Sequence, residues 1–213
     1  MLKTGLEEMK IDYSEIVISK FRDYLKILYG FEGRLHLISH SDFSRISLKH
    51  FLPSLIVLKF LGSEKYVCDI GAGAGFPSVP VKILRSEIDL TLFESVKKRA
   101  HFLEYLIEHL NLSDTKVINA RAEQYTAKKF DLILVKAAGK ISNLVKTIDR
   151  LVASGGRAIF YKTMAIENEL RQAENKLNKR NFIIRIEKMF TPIENIPMSL
   201  VILEKKDDFS NNC

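Results

Sequence analysis

Only two cysteines occur among the 213 residues, Cys68 inside an apolar run and Cys213 at the end of a polar tail. That excludes a disulfide framework and offers no zinc-ligand spacing. Cys68 is expected to pack as a small apolar strand residue, not to act as a nucleophile. The five histidines, His36, His40, His50, His101 and His109, also lack metal spacing, and they are expected as surface or packing residues with no metal required. Apolar runs such as residues 55–58 are far too short to cross a bilayer, so no membrane segment is expected. Residues 1–10 mix Lys3 and Lys10 with Glu7 and Glu8 and carry no apolar stretch of the secretory kind, which points to a cytoplasmic protein. Internal repeats and low-complexity linkers are missing too, and the length suits one well-buried domain with a small appendage.

What is present is an ordinary balance of 46% hydrophobic and 28% charged residues with a net charge of +7. The excess is local. Residues 66–162 carry 15 basic and 10 acidic side chains, whereas residues 163–213 carry 8 of each. A polyanionic partner at the middle of the chain accounts for this, and so does a solvated lysine-rich surface.

From Ser14 to Tyr29, Ile16, Val17, Phe21, Tyr24, Leu25 and Leu28 recur at helical steps, which predicts an amphipathic helix. A second helical pattern opens at Asp42 as N-cap and runs through Phe43, Ile46, Phe51 and Leu55 towards Leu61, kinked or divided at Pro53. After Gly62 the pattern changes to short apolar runs at 66–70, 89–93, 115–119, 130–135 and 157–161, alternating with helical stretches at 76–84, 97–110 and 141–152. Gly155-Gly156 reads as the turn before the fifth strand. A helix at 167–180 and strands at 182–190 and 200–204, joined through residues 192–197, close the pattern as an antiparallel pair. The expected fold is α/β: a doubly wound, Rossmann-like, mostly parallel sheet with an antiparallel C-terminal strand. Residues 1–62 form an N-terminal helical extension packed on a catalytic domain of residues 63–206, and residues 207–213 form a polar tail.

The chemistry concentrates in the sequence from Val67 to Pro77, between the first strand and the first crossover helix. Gly71, Gly73 and Gly75 let the chain turn sharply and let a ligand lie against bare backbone. The spacing departs from the dinucleotide pattern, since Phe76 stands where that pattern continues and the third glycine comes one residue early. S-adenosylmethionine has no phosphate to place at a helix end; it carries a sulfonium, an ammonium and a carboxylate. Asp69 can serve its cationic part directly or through water. Glu94, 25 residues further at the end of the second strand, offers paired acceptors to the ribose hydroxyls. A nicotinamide cofactor would use such an acid as well, so that reading stays open.

The stretch from Gly71 to Pro77, followed by Val79-Pro80, resembles the first motif of the 16S ribosomal RNA guanine-N7 methyltransferase family, also called the glucose-inhibited division protein B family. Glu94-Ser95 with Lys98-Arg99 and Phe102-Leu103, then Arg121-Ala122-Glu123, Phe130-Asp131 and Gly155-Gly156 ending at Lys162, follow in family order across roughly residues 20–205. The resemblance implies an S-adenosylmethionine-dependent enzyme that releases S-adenosylhomocysteine and acts on 16S ribosomal RNA, as naked RNA, small subunit or assembly intermediate. It implies that Gly71, Gly73, Gly75 and Phe76 border the methionine and ribose, that Glu94 binds ribose, and that Ala122 and Glu123 border adenine. Lys136 stands where the family has an arginine near the reacting centre, and is assigned here to positioning and to the donor pocket. Arg121, Lys136, Lys162, Lys98 and Arg99 are the candidate RNA contacts. The chain departs from the family at Ser78 (usually glycine), His36 (asparagine), Pro53 (aspartate) and Met198 (arginine), positions on the substrate side more than the donor side.

Guanine N7 has an in-plane lone pair and no proton, so its methylation needs positioning and no general base. This agrees with two further absences after the fourth strand: no Asp/Asn-Pro-Pro-aromatic motif for an exocyclic amine, and no cysteine for a pyrimidine ring. Transfer makes the base cationic, so a nearby positive charge cannot act by stabilising the product. A monomer is expected, because no long apolar seam is left over. Two alternatives remain at this stage: a small-molecule methyltransferase on the same scaffold, and a donor-binding relative without turnover.

Overall fold

Five short runs form the parallel part of the sheet; the central ones, buried on both faces, read as near-continuous apolar sequence, whereas the edge run at residues 115–118 has no buried residue. In the computed structural model, which describes residues 1–164 and 166–206, these are β1 (Tyr66–Ile70), β2 (Asp89–Phe93), β3 (Thr115–Ile118), β4 (Phe130–Lys136) and β5 (Val152–Lys162). β6 (Phe182–Phe190) and β7 (Pro197–Lys205) complete a seven-stranded sheet in the order β3-β2-β1-β4-β5-β7-β6, with β7 antiparallel to both of its neighbours. The expected tail, with Cys213, lies outside the described residues.

Alternation along the strands sends successive side chains to two cores. Val67, Leu132, Leu134 and Ile159 face one layer, which holds α1 (Leu2–Glu8), α2 (Glu15–Gly30), α3 (Leu52–Leu55), α4 (Ser78–Leu84) and α5 (Lys97–His109). Cys68, Ile133, Val135 and Ala158 face the other, under α6 (Ile141–Leu151) and α7 (Glu167–Asn178). Cys68 is fully buried, as a strand residue in this register must be. The N-terminal helices have no core of their own: Leu6, Phe21, Tyr24 and Phe51 belong to the same cluster as the sheet residues.

α2 begins where expected, with the Ser14 hydroxyl accepting from Val17 N–H, and it buries Ile18, Phe21, Tyr24 and Leu28 along one face. The next stretch is divided near Pro53, as expected, but Asp42 does not cap it and its segments are not regular α-helix throughout. Ser39 precedes a 3-10 helix at His40–Arg45, a π turn covers Ser47–Phe51, α3 carries Pro53 in its first turn, and a second 3-10 helix spans Ile56–Phe60. Proline has no N–H for a regular helix interior. The wider π turn, closed by Leu52 N–H to Ser47 C=O, places Pro53 at a helix start and frees the Asp42 carboxylate from capping. α1 was not anticipated.

β5 starts earlier than the sequence suggests, so Gly155-Gly156 lies inside the strand instead of before it. Phe130 opposes Val152 while Leu132 opposes Arg157, so four residues of β5 bulge out across one of β4. Gly155 takes φ +69° there.

Candidate active site at the carboxyl ends of the central strands

In an open α/β sheet the ligand crevice forms at the carboxyl edge where strand order reverses. Here that point lies between β1 and β4, so the glycine loop and the segment after Lys136 face each other. Gly71 N–H and Ala72 N–H both donate to Phe93 C=O, at 2.9 and 3.0 Å, which folds the loop tip back onto β2. Gly71, Gly73 and Gly75 all have positive φ. At Gly71 (φ +75°) a Cβ would stand 2.7 Å from Ala138 Cβ, whereas at Gly73 (φ +55°) it would meet nothing nearer than Gly71 O at 3.8 Å. Gly71 is therefore required by the protein's own packing, and Gly73 leaves open volume in the crevice.

Two clefts meet at Gly71. One, of about 240 Å³, is bounded by Ile70, Phe93, Ser95, Ala120 to Glu123, Ala138 and Leu144. The other, of about 230 Å³, is bounded by Leu37, Ile38, His50, the loop from Gly71 to Ala74, Phe76, Arg99, Lys136 and Ala137. Glu94 lies between Phe93 and Ser95 of the first cleft and is 4% exposed. Its carboxylate accepts from Gly73 N–H (3.0 Å) and Val96 N–H (2.8 Å), which leaves half of its lone pairs for a diol. Arg150 donates to the carbonyls of Ala122 (2.9 Å) and Glu123, fixing the far wall of the first cleft.

The second cleft holds the unusual electrostatics. Among the described residues five buried side-chain polar atoms have no hydrogen-bond partner; two belong to residues that line this cleft, His50 Nδ1 and Lys136 Nζ, and a third, Asp69 Oδ1, lies behind the loop. Unpartnered buried polar atoms are costly, so two at one crevice point to a ligand that completes them. Lys136 Nζ lies 5.2 Å over the Phe76 ring, and burial pulls its pKa down to about 8 against the opposing pull of Asp69 and Asp42. Asp69 is fully buried behind the loop, where it accepts from the Ser78 hydroxyl (2.6 Å). Burial raises its pKa to about 7, opposed by the Ser78 hydrogen bonds and the Lys136 charge. The serine standing where the family has glycine thus serves the aspartate.

Phe76 is itself held on both sides: Tyr24 stacks at 5.4 Å and His50 at 4.8 Å, each with an interplanar angle of 21°. The Tyr24 hydroxyl donates to Ala74 C=O, and Phe51 packs on both Tyr24 and Phe76. His50 is neither a surface residue nor a packing residue alone, which corrects the expectation for it: Nε2 faces Asp42 Oδ2 at 3.2 Å while Nδ1 is buried at the cleft. Burial, followed by the Lys136 charge, lowers its pKa below the usual 6.5, so the ring is neutral at pH 7. Sequence reasoning missed this pair because Asp42 resembled a helix cap.

The remaining candidates separate. Arg121 lines the first cleft and Arg99 the second, where Arg99 donates to His36 C=O (3.4 Å); Lys98 is exposed beside them. Lys162 is committed elsewhere. It donates to Gly139 C=O (3.0 Å) and to Glu169 (2.7 Å), and the same carboxylate oxygen accepts from Ile141 N–H (2.7 Å). These bonds clamp the turn after β4, in which Ala137 and Gly139 take positive φ.

The comparisons with known proteins agree with this geometry. A family model described as rRNA small subunit methyltransferase G matches residues 17–194. The chain is similar to Ribosomal RNA small subunit methyltransferase G of Listeria monocytogenes serotype 4b, at 31% identity over 219 aligned residues, covering 98% of this chain and 91% of that one. It is 32% identical over 210 residues to the protein of the same name from a Geobacillus species, covering 95% and 88%. Among solved structures it is similar to a methyltransferase from Pyrococcus furiosus, with a TM-score of 0.59 at 17% identity over 88% of this chain and 97% of that one. At that identity the structural likeness speaks for the fold.

Proposed function

Since the chain belongs to the rRNA small subunit methyltransferase G family, we propose that it transfers a methyl group from S-adenosylmethionine to N7 of a guanine in 16S ribosomal RNA. The single observation that carries this is the pair of clefts joined at Gly71, one suited to a nucleoside with its ribose on Glu94, the other ringed by unpartnered polar atoms and the cations Arg99 and Lys136. Gly73, where an added Cβ would enter only free space, supplies the bare wall such a donor needs.

When bound, S-adenosylmethionine supplies a methyl group on a sulfonium leaving group. The chain's own residues then have four tasks. Glu94 fixes the sugar through the acceptor sites not used by Gly73 and Val96. The walls at Ala122 and Glu123, held by Arg150, enclose the adenine. Asp69, behind the loop, places negative charge under the cationic end of the donor, and its unpartnered oxygen is the atom available to it through the loop or a water. Lys136 works on the base side: a second cation gains nothing beside a sulfonium, but as a donor to guanine O6 it orients N7 for in-line attack. No group is needed to remove a proton. Arg121, Arg99 and Lys98 neutralise phosphates around the mouth.

The protein is further proposed to act in the cytoplasm as a monomer on the small subunit, with residues 1–62 forming the acceptor-side wall and residues 63–206 the donor-binding domain. No helix among the described residues is long and apolar enough to cross a membrane. The test is tritium transfer from labelled donor to deproteinised 16S rRNA and to isolated small subunits, followed by strand cleavage at N7-methylguanine and primer extension. One stop beside one guanine is expected. Transfer that ignores RNA and labels only small molecules would overturn the assignment.

A further inference from the structure

The second cleft contains one unpartnered buried acceptor and one unpartnered buried donor. The donor is the Lys136 ammonium. The acceptor follows from tautomer logic: the His50 ring is neutral, and its Nε2 faces the Asp42 carboxylate, which can only accept. The single ring proton therefore sits on Nε2, and Nδ1 presents a bare lone pair to the cleft. The ring cannot easily rotate to exchange the two nitrogens, because it is stacked on Phe76 and its side chain is only 17% exposed. The backbone is fixed as well, since the His50 carbonyl accepts from the Ser54 hydroxyl at 2.6 Å across the π turn.

Resting on the proposed function, we infer that His50 and Lys136 form a reader of the acceptor base, in which Nδ1 of His50 accepts from guanine N1–H and Nζ of Lys136 donates to guanine O6. Guanine offers an acceptor at position 6 and a donor at position 1. Adenine offers the reverse, an amine at 6 and a lone pair at 1, so the same two protein atoms would face a donor with a donor and an acceptor with an acceptor. Both purines carry N7, and although that of guanine is the stronger nucleophile, the neighbouring edge is where the two bases present opposite hydrogen-bonding patterns to the protein. Asp42 is a positioning residue in this arrangement: it acts on the base only by holding the proton on Nε2. The device uses no charge on the histidine and no metal, and it explains why a buried ammonium and one nitrogen of a buried imidazole are left without partners at one crevice.

The experiment uses the full chain and RNA whose target guanine is replaced by inosine or by adenine. Inosine keeps O6 and N1–H and lacks only the 2-amino group, so wild-type transfer to it is expected within about threefold of guanine, while transfer to adenine falls by roughly 100-fold or more. His50→Phe keeps the ring on Phe76 and deletes the acceptor. It is expected to lower kcat/KM on guanine by roughly 10- to 100-fold, to compress the guanine-to-adenine ratio by a similar factor, and to leave the donor Kd within about threefold. His50→Asn, whose side-chain oxygen can occupy the Nδ1 position, is expected to recover part of the ratio. If His50→Phe does not fold, the inosine and adenine comparison on the wild type still decides: equal transfer to adenine and inosine overturns the reader. An active wild type with an unchanged ratio in His50→Phe overturns it too, while the methyltransferase reading stands. A wild type that labels no guanine in any RNA overturns both.

Discussion

Lys136 carries a charge that the surrounding protein does not solvate, held near a pKa of about 8 by burial and sustained by Asp69 and Asp42. Its folded value lies below its ordinary one, so the donor form exists below about pH 8 and is lost as pH rises through it. Methyl transfer is therefore expected to fall above about pH 8 with little change in donor affinity, as a pH profile of kcat/KM for RNA would show. Lys136→Arg replaces the ammonium with a group that does not deprotonate, so the alkaline limb should move out of range. A limb that stays near pH 8 in that variant would assign it to another group. The glycines supply a second residue-scale contrast. Gly71→Ala meets Ala138 Cβ at 2.7 Å in a left-handed backbone and should cost about 2–4 kcal/mol of stability, seen as a lower Tm. Gly73→Ala has no protein neighbour to strike, so strain of about 1–2 kcal/mol is its only folding cost. Its main effect should be on ligand binding, at roughly 10-fold or more in donor Kd by titration calorimetry. Should Gly73→Ala bind the donor normally, the ligand does not occupy that volume.

At the scale of elements, α2 reaches the site through one side chain. Tyr24 links the helix to the loop by its hydroxyl on Ala74 C=O and by its ring on Phe76 and Phe51. Tyr24→Phe keeps the stack and leaves a buried carbonyl unpaired, so a loss of about 1–2 kcal/mol is expected in denaturant titration, with donor binding weakened less than stability. An unchanged midpoint would mean that the hydrogen bond contributes nothing to the coupling. This contact also marks where reading the sequence succeeds and where it stops. β1, β2 and β4 are apolar runs whose limits coincide with the burial of parallel strands, and the glycine loop, Glu94 and the walls at Ala122 and Glu123 are local in sequence, so their placement could be anticipated. β5 was read short because the bulge at residues 153–156 hides its first residues behind two glycines. Residues 40–60 have a helical apolar spacing whose break at Pro53 is legible, whereas the 3-10 segments at 40–45 and 56–60 have no sequence signal. Asp42 and His50 are eight residues apart, a separation at which a regular helix puts two side chains too far apart to bond, and only the π turn brings them together. Lys162, a candidate RNA contact in the sequence, holds the turn after β4 through Glu169, a partner that no sequence pattern announces.

Taken as one molecule, the positive excess of the middle segment converges on the mouth of the site, with Arg121 on one cleft, Arg99 on the other and Lys98 beside them. Among the described residues Arg121 has no side-chain hydrogen bond or ion pair. Binding to 16S rRNA should weaken steeply with salt while donor binding does not, and each phosphate contact removed from a single-stranded region should reduce the log–log slope by about 0.7. Arg121→Ala is expected to show that loss by filter binding across a salt series. Lys162→Met should leave the slope unchanged and weaken the donor instead, since its partners are Gly139 and Glu169. The reverse result would exchange the two roles.

The connection between β6 and β7 grips the N-terminal region: Ile193 N–H donates to the Glu8 carboxylate, and Arg45 pairs with Glu194. Arg45 precedes by five residues His50, which lines the second cleft. The strand pair beside β5 is thereby fastened to the segment that lines the second cleft. Loss of the hairpin formed by β6 and β7 would leave Glu8 and Arg45 without these partners, and the N-terminal wall of the second cleft would lose two of its ties to the sheet.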